Sequence, residues 1–203
     1  MTKLLLIRHG DCDGVGEILW GRTPGVNLNE RGQAQVRELA NGLADVRLEA
    51  IYASPLARTM ETASAIANKT AAAVIARDTL NEFDFGDWTG RSIETMNNAP
   101  GWREFNEFRS TTRAPGGESM LEVQVRMVVE VLAIASRHTD STVALVGHSD
   151  PIRAALTYFV GSHIDHFHRL ELSPASFSLV QMKGAAPTVV SINNTFGDRA
   201  VTD

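Results

Sequence analysis

Apolar and polar positions along this chain fall into short blocks of two kinds. Leu4-Leu5-Leu6-Ile7, Ala50-Ile51-Tyr52-Ala53 and Val143-Ala144-Leu145-Val146 are unbroken apolar runs, which read as strands buried on both faces, as in parallel sheets. Between them Val36, Leu39, Ala40 and Leu43 recur at helical spacing behind Asn29, whose side chain suits a helix N-cap. Ser54-Pro55 reads as an N-cap with proline opening a second helix, and Asp150-Pro151 as the cap of another. Ser119 and Glu122 spell a capping box for a long helix ending near His138, with Leu121, Val125, Val128, Leu132 and Ala135 as its apolar stripe. Ala73-Val74-Ile75, Phe167 to Leu172, Ser176 to Met182 and Thr188 to Ile192 read as further strands, the last three spaced closely enough to pair antiparallel. The alternation predicts an α/β three-layer sandwich: a mainly parallel central sheet, helices on both faces joined by right-handed crossovers, and an antiparallel edge.

Residues 77–117 break this rhythm. They are aromatic-rich and weakly periodic, with short helices expected over Ile93 to Asn97 and Trp102 to Phe108. Trp102, Arg103, Phe105, Phe108, Arg109 and Arg113 there suit either a lid or simple packing, and packing is the commoner use of such aromatics. With 203 residues and no linker or repeat, the expectation is one domain over 1–203 with a lid-like insertion around 77–117.

Charge and cysteine content narrow the classes. A net charge of −5 with singly scattered arginines argues against a nucleic-acid partner, while still allowing a local cationic cleft for an anionic small molecule. The single cysteine, Cys12, forms no intrachain disulfide, and Arg8 interrupts the first apolar run well short of a membrane span. The expectation is a cytoplasmic, soluble protein with no membrane partner; a homodimer is compatible with the sequence, which leaves the oligomeric state open.

The chemistry sits where the apolar runs end. Arg8-His9-Gly10 follows the first, Gly147-His148-Ser149 the third, and Ser54-Pro55-Leu56-Ala57-Arg58-Thr59-Met60-Glu61-Thr62 the second. Carboxyl ends of parallel strands are where open α/β sheets bind ligands, so two imidazoles and two arginines are expected in one cleft. Arg8 and Arg58 offer planar forks matched to phosphate oxygens. Two neighbouring guanidiniums should push the His9 pKa down.

These segments, with Leu80-Asn81-Glu82 leading into Phe85-Gly86-Asp87-Trp88, occur in the order found in the histidine phosphatase superfamily, which the chain resembles from Arg8 to His148. The wording of the acid segment is most similar to the α-ribazole phosphatases and broad-specificity phosphatases. The resemblance implies a phosphomonoesterase that needs neither cofactor nor metal and acts on a small phosphorylated metabolite. It implies His9 as nucleophile forming a phosphohistidine, Arg8, Arg58 and His148 as contacts to the phosphoryl group, and Glu82 as the acid, with Asp84 as its nearest rival. It places Arg22 and Thr23 at the entrance and Ser149 at the substrate. Asp11 and the pair Ser149-Asp150 depart from the family's usual residues at the rim, where substrate choice is made.

Two other readings stay open. The segment Glu82-Phe83-Asp84-Phe85-Gly86 lacks the Glu-Arg-x-Tyr-Gly of the phosphoglycerate mutases, and the chain is shorter than theirs, which favours hydrolysis over a mutase. A non-catalytic phosphate-binding module is the competitor from another class. His163, His166 and His168 are spaced closely enough to suggest a metal site, although solvated residues entering a strand are the simpler reading.

Overall fold

The computed structural model describes residues 1–196. Six strands form one sheet: β1 (Thr2–Arg8), β2 (Leu48–Ala53), β3 (Ala73–Ala76), β4 (Thr142–Gly147), β5 (Phe177–Lys183) and β6 (Ala186–Asn194), in the order β3-β2-β4-β1-β5-β6. The first four run parallel, with β4 paired to both β1 and β2; β5 lies antiparallel to β1, and β6 to β5. The fold is a three-layer α/β sandwich with an antiparallel edge.

Alternation along β1 divides the interior in two. Leu5 and Ile7 join the cluster beneath α1 (Glu30–Gly42) and α2 (Ala57–Thr70), whereas Leu4 and Leu6 join the cluster beneath α5 (Met120–Arg137) and α6 (Ser149–Phe159). The second cluster also takes in Phe83, Phe85, Trp88, Met96, Trp102 and Phe105, from residues 77–117, which hold the short helices α3 (Ile93–Met96) and α4 (Trp102–Glu107). All the aromatic side chains of that segment except Phe108 are therefore core. Arg103, Phe108 and Arg113 are exposed.

Several local expectations are met in detail. The Asn29 side chain accepts from the Gly32 amide, and Ser119 and Glu122 complete the reciprocal capping box. Four others are corrected. Residues 167–172 form no strand, because Ile164–Arg169 is a 3-10 helix whose start is capped by the His163 side chain accepting from the Asp165 amide. The buried face of α5 is Met120, Val123, Met127, Val128, Val131, Ile134 and Ala135; Leu121 and Val125 are 43% and 61% exposed, since an apolar residue on nearly every side hides which side is inward. α2 starts at Ala57 with no side-chain cap, and the Ser54 hydroxyl is spent on other partners described below. In the last case His148, not Asp150, is the N-cap position of α6.

One close approach fixes the segment that follows β1. The first turn of α1 rests on the backbone at Gly10 and Asp11, so that a β-carbon at Gly32 would collide with the Asp11 carbonyl and one at Gly10 with Val36 and the Gly32 carbonyl. Gly32→Ala is expected to lower stability by about 1–3 kcal/mol through overpacking, whereas Gln33→Ala, one residue further on an exposed face, stays within about 0.5 kcal/mol. Urea unfolding of the two variants measures the difference.

Candidate active site

The parallel register sets Arg8 beside Gly147, so the residues that follow, His9 and His148, leave the sheet together. The His9 amide donates to the Gly147 carbonyl at 3.0 Å, and the Ser54 amide, after β2, donates to Val146 on the same strand. The two imidazole rings meet edge to face with centroids 5.1 Å apart. Both are buried.

His9 has a defined tautomer. Its Nδ1 lies 2.6 Å from the Gly10 carbonyl, which only accepts, so the proton sits on Nδ1 and the lone pair on Nε2. Burial first, then the positive charges of Arg58 and Arg8, push its pKa down to about 3. A neutral imidazole with a basic Nε2 is the nucleophilic form.

His148 is held differently. Ser54 Oγ donates to Asn81 Oδ1 at 2.9 Å and accepts from His148 Nε2 at 2.9 Å, which leaves Nδ1 unprotonated and without a hydrogen-bond partner among the described residues. Burial and the adjoining His9, Arg58, Arg126 and Arg8 lower its pKa well below the ordinary value. Glu82 Oε2 stands 3.9 Å from that Nδ1.

Arg8 reaches the site from β1, where its Nη1 donates to the Leu172 carbonyl at 2.5 Å; Arg58, in the first turn of α2, donates from Nη2 to the Gly21 carbonyl at 2.7 Å. The Arg8 Nε and Arg58 Nη1 atoms are buried without a hydrogen-bond partner among the described residues. Such orphans are rare in folded proteins, and here they stand together with the His148 Nδ1.

Glu82 is the acid of the group. Its Oε1 accepts from the Phe83 amide at 2.7 Å, while burial and the neighbouring Asp150 raise its pKa to about 7 against the pull of Arg58 and Arg126. Its backbone is clamped from outside: the Glu82 carbonyl accepts from Arg22 Nε and Arg126 Nη2 at 3.0 and 3.1 Å, and Glu118 pairs with both arginines. Gly117 makes this possible, because a β-carbon there would collide with the Asp84 carbonyl. Asp84 turns away, accepting from the Gly86 amide and standing 3.6 Å from Arg22 Nη1.

A cavity of about 480 Å³ opens over this group. Arg8, His9, Arg58, Glu82 and Ser149 line it, with Val15, Ile18, Leu19, Trp20, Phe85, Ile93 and Trp102 on one wall and Asn106, Arg109, Asp150, Arg153 and His168 among the other lining residues. Of the residues singled out from sequence, Arg22, Thr23 and His148 are not in the lining; Arg22 braces the Glu82 backbone instead, and His148 is fully buried against His9 with its Nδ1 towards Glu82. His168 lies beside Arg109 at 3.4 Å and His163 beside Asp165, and among the described residues no cluster of His, Cys, Asp and Glu is placed to hold a metal ion. Sequence reasoning missed Ser54, Asn81, Arg126 and Glu118. Arg126 alone had left a signal, as a charge three residues on from the core position Val123.

The sequence profile of the histidine phosphatase superfamily (branch 1) matches residues 4–195. Phosphoserine phosphatase 1 of Hydrogenobacter thermophilus is 32% identical over 203 residues, covering 96% of this chain and 93% of its own. A 2,3-bisphosphoglycerate-dependent phosphoglycerate mutase of Thermoplasma acidophilum is 30% identical over 198 residues, covering 96% and 95%. The solved structure of Bacillus stearothermophilus YhfR superposes with a TM-score of 0.90 at 25% identity, covering 97% of this chain and 99% of that one. Among the described residues no helix is long and apolar enough to cross a membrane.

The assigned tautomer is open to direct measurement. Nitrogen NMR of the imidazoles should show His9 neutral, protonated on Nδ1 and not titrating between about pH 5 and 8, whereas a free histidine titrates near 6.5. A His9 signal that moves through that window would place the proton elsewhere.

Proposed function

This chain belongs to the histidine phosphatase superfamily, and on that premise we propose that it hydrolyses the phosphate ester of a small metabolite through a phosphohistidine on His9. The observation that carries the reading is the neutral His9, basic at Nε2, ringed by buried guanidinium and imidazole nitrogens that lack partners among the described residues. A phosphate dianion supplies acceptors for the guanidinium donors, and for His148 Nδ1 once that ring takes up a proton.

The steps follow from these groups. Arg8 and Arg58 hold equatorial oxygens of the phosphoryl group, and His9 Nε2 attacks phosphorus as the bond to the leaving oxygen breaks in line. Glu82, which still holds a proton in a large share of molecules near neutral pH, gives that proton to the leaving oxygen. The carboxylate then takes a proton from water, which attacks phosphorus and displaces His9, releasing inorganic phosphate. The dianion beside His148 favours its protonated form, so that this ring donates from Nδ1 to the phosphoryl group while Ser54 fixes it from behind. Residues 77–117 serve in this reading as the lid-like part of a single domain, supplying Glu82 and one cavity wall. Ser149 lies in the lining of the same cavity, available to the substrate, while Arg22 acts only through the Glu82 backbone that it braces.

His9→Ala is expected to remove nearly all turnover, and acid-labile, alkali-stable phosphate should be trapped on the wild-type protein alone. Glu82→Gln should slow alkyl phosphates far more than p-nitrophenyl phosphate, whose leaving group departs without a proton, and Asp84→Asn should do much less. For alkyl phosphates kcat/KM should fall by about tenfold per unit as the pH rises above about 7, because the acid form of Glu82 is lost. An equal loss on both esters would remove Glu82 from the role.

A second reading has one observation in its favour: the Thermoplasma mutase resembles this chain nearly as well as the phosphatase does. A mutase must shield its phosphohistidine from water while the substrate reorients. Phosphorus NMR of 3-phosphoglycerate with the enzyme, with and without 2,3-bisphosphoglycerate, is expected to show phosphate release outrunning isomerisation. The reverse order would establish the mutase.

A further inference from the structure

Beside the cradle the same cavity lining holds a second group of charges, Arg109, Asp150 and Arg153, near enough for Asp150 to act on Glu82 and for Arg153 to act on Arg8. Arg109 follows α4 and is only 3% exposed. Its guanidinium stacks over Phe105 at 4.0 Å and Phe167 at 4.7 Å, and its Nη2 donates to Asn106 Oδ1 at 2.8 Å. That packing leaves the plane no freedom to turn. Yet Nε and Nη1 are buried without a hydrogen-bond partner among the described residues.

The nearest counter-charge is Asp150, and it is divided. Asp150 Oδ2 stands 3.8 Å from Arg109 Nη1 and Oδ1 stands 3.8 Å from Arg153 Nη1, ion-pair distances beyond hydrogen-bond length. Arg153 Nε is likewise buried and unpartnered among the described residues. His168 Nε2 lies 3.4 Å from Arg109 Nη2, where it faces the guanidinium as an acceptor and adds no negative charge. Burial lowers the Arg109 pKa only to about 10, so the group stays charged near neutrality.

Charge decides what fits. In the cradle, the guanidiniums of Arg8 and Arg58, joined by the His148 ring that the dianion protonates, already meet a phosphate dianion when Glu82 is protonated. In the second group, two guanidiniums against one carboxylate leave a single positive charge. A monoanion satisfies it, a second phosphate dianion exceeds it, and a neutral alcohol leaves a buried charge unmatched. A carboxylate also offers two oxygens to the donors that Arg109 and Arg153 leave open.

We propose that Arg109, with Arg153 and the shared Asp150, forms a second anion subsite that binds a carboxylate of the substrate, making this enzyme selective for phosphorylated carboxylic acids over their neutral counterparts. The proposal rests on the reading above that the cradle around His9 takes the phosphoryl group. It makes Arg109 a specificity-determining residue and assigns the cavity two anion-binding ends.

Matched pairs of compounds isolate the carboxylate. For the wild-type protein, kcat/KM for 3-phosphoglycerate should exceed that for glycerol 3-phosphate, and O-phosphoserine should exceed O-phosphoethanolamine, each by roughly tenfold or more, since a site built for a polar group discriminates strongly against its absence. In Arg109→Gln the loss on the carboxylate member should exceed the loss on its neutral partner at least severalfold, mostly in KM. Arg109→Lys, which keeps the charge and drops the fork, should fall between. Should these variants fail to fold, the wild-type protein still decides: 3-phosphonopropionate should inhibit roughly tenfold more strongly than propylphosphonate. Equal inhibition by the two phosphonates, or equal turnover within the substrate pairs, with phosphate still released, overturns the subsite and leaves the phosphatase reading standing. If neither propylphosphonate nor inorganic phosphate binds at all, the cradle itself is misread and the subsite falls with it.

Discussion

An imidazole attacks phosphorus only through a nitrogen that carries no proton, yet the arginines that attract a phosphate dianion are useful only if they are charged. The structure reconciles these demands by burial. Packing His9 between Arg8 and Arg58 makes a third positive charge prohibitively expensive, so that the ring surrenders its proton while the far more basic guanidiniums keep theirs. The Gly10 carbonyl then selects which nitrogen is left bare. The same desolvation acts with opposite sign on Glu82, which becomes a proton donor near neutrality. One dry, positively charged space thus leaves His9 neutral with a bare Nε2 and lets Glu82 hold a proton near neutrality.

That space is framed by elements whose own stability comes from elsewhere. The β1 and β4 pairing places the two histidines, α2 brings Arg58, and the segment carrying Glu82 is anchored by Arg22, Arg126 and Glu118 on its far side. Each reacting group is therefore held through its backbone by contacts outside the cavity. Phe105 and Phe167 do the same for Arg109, gripping its guanidinium between ring faces.

Much of this was legible because strand-end residues inherit their position from a backbone pattern. Unbroken apolar runs locate β1, β2 and β4, and whatever follows such a run lands at one edge of the sheet, which is why Arg8, His9, Arg58 and His148 could be named together. Glu82 lies on no strand and was legible through family wording alone. What periodicity mislaid depends on contacts across the fold. The alternation Phe167-His168-Arg169-Leu170-Glu171-Leu172 imitates a strand, but Phe167 is buried beneath Arg109 and Arg153 on a 3-10 helix. The inward side of α5 was misjudged because Leu121, Val125 and Val129 are apolar and exposed. Ser54 looked like a helix cap, and only the nearness of Asn81 and His148 shows that its hydroxyl orients an imidazole.

Buried donors without acceptors are a burden on the folded state, since the unfolded chain offers those nitrogens water. Among the described residues Arg8, Arg58, Arg109 and Arg153 bring such donors to one cavity, where a bound anion would relieve the native state alone. Inorganic phosphate is then a folding ligand as well as a reaction product: at a hundred times its dissociation constant it would add about 2.7 kcal/mol to the stability of the native chain. With phosphate bound at the proposed cradle, the resistance of this protein to heat would rise with the phosphate content of its surroundings.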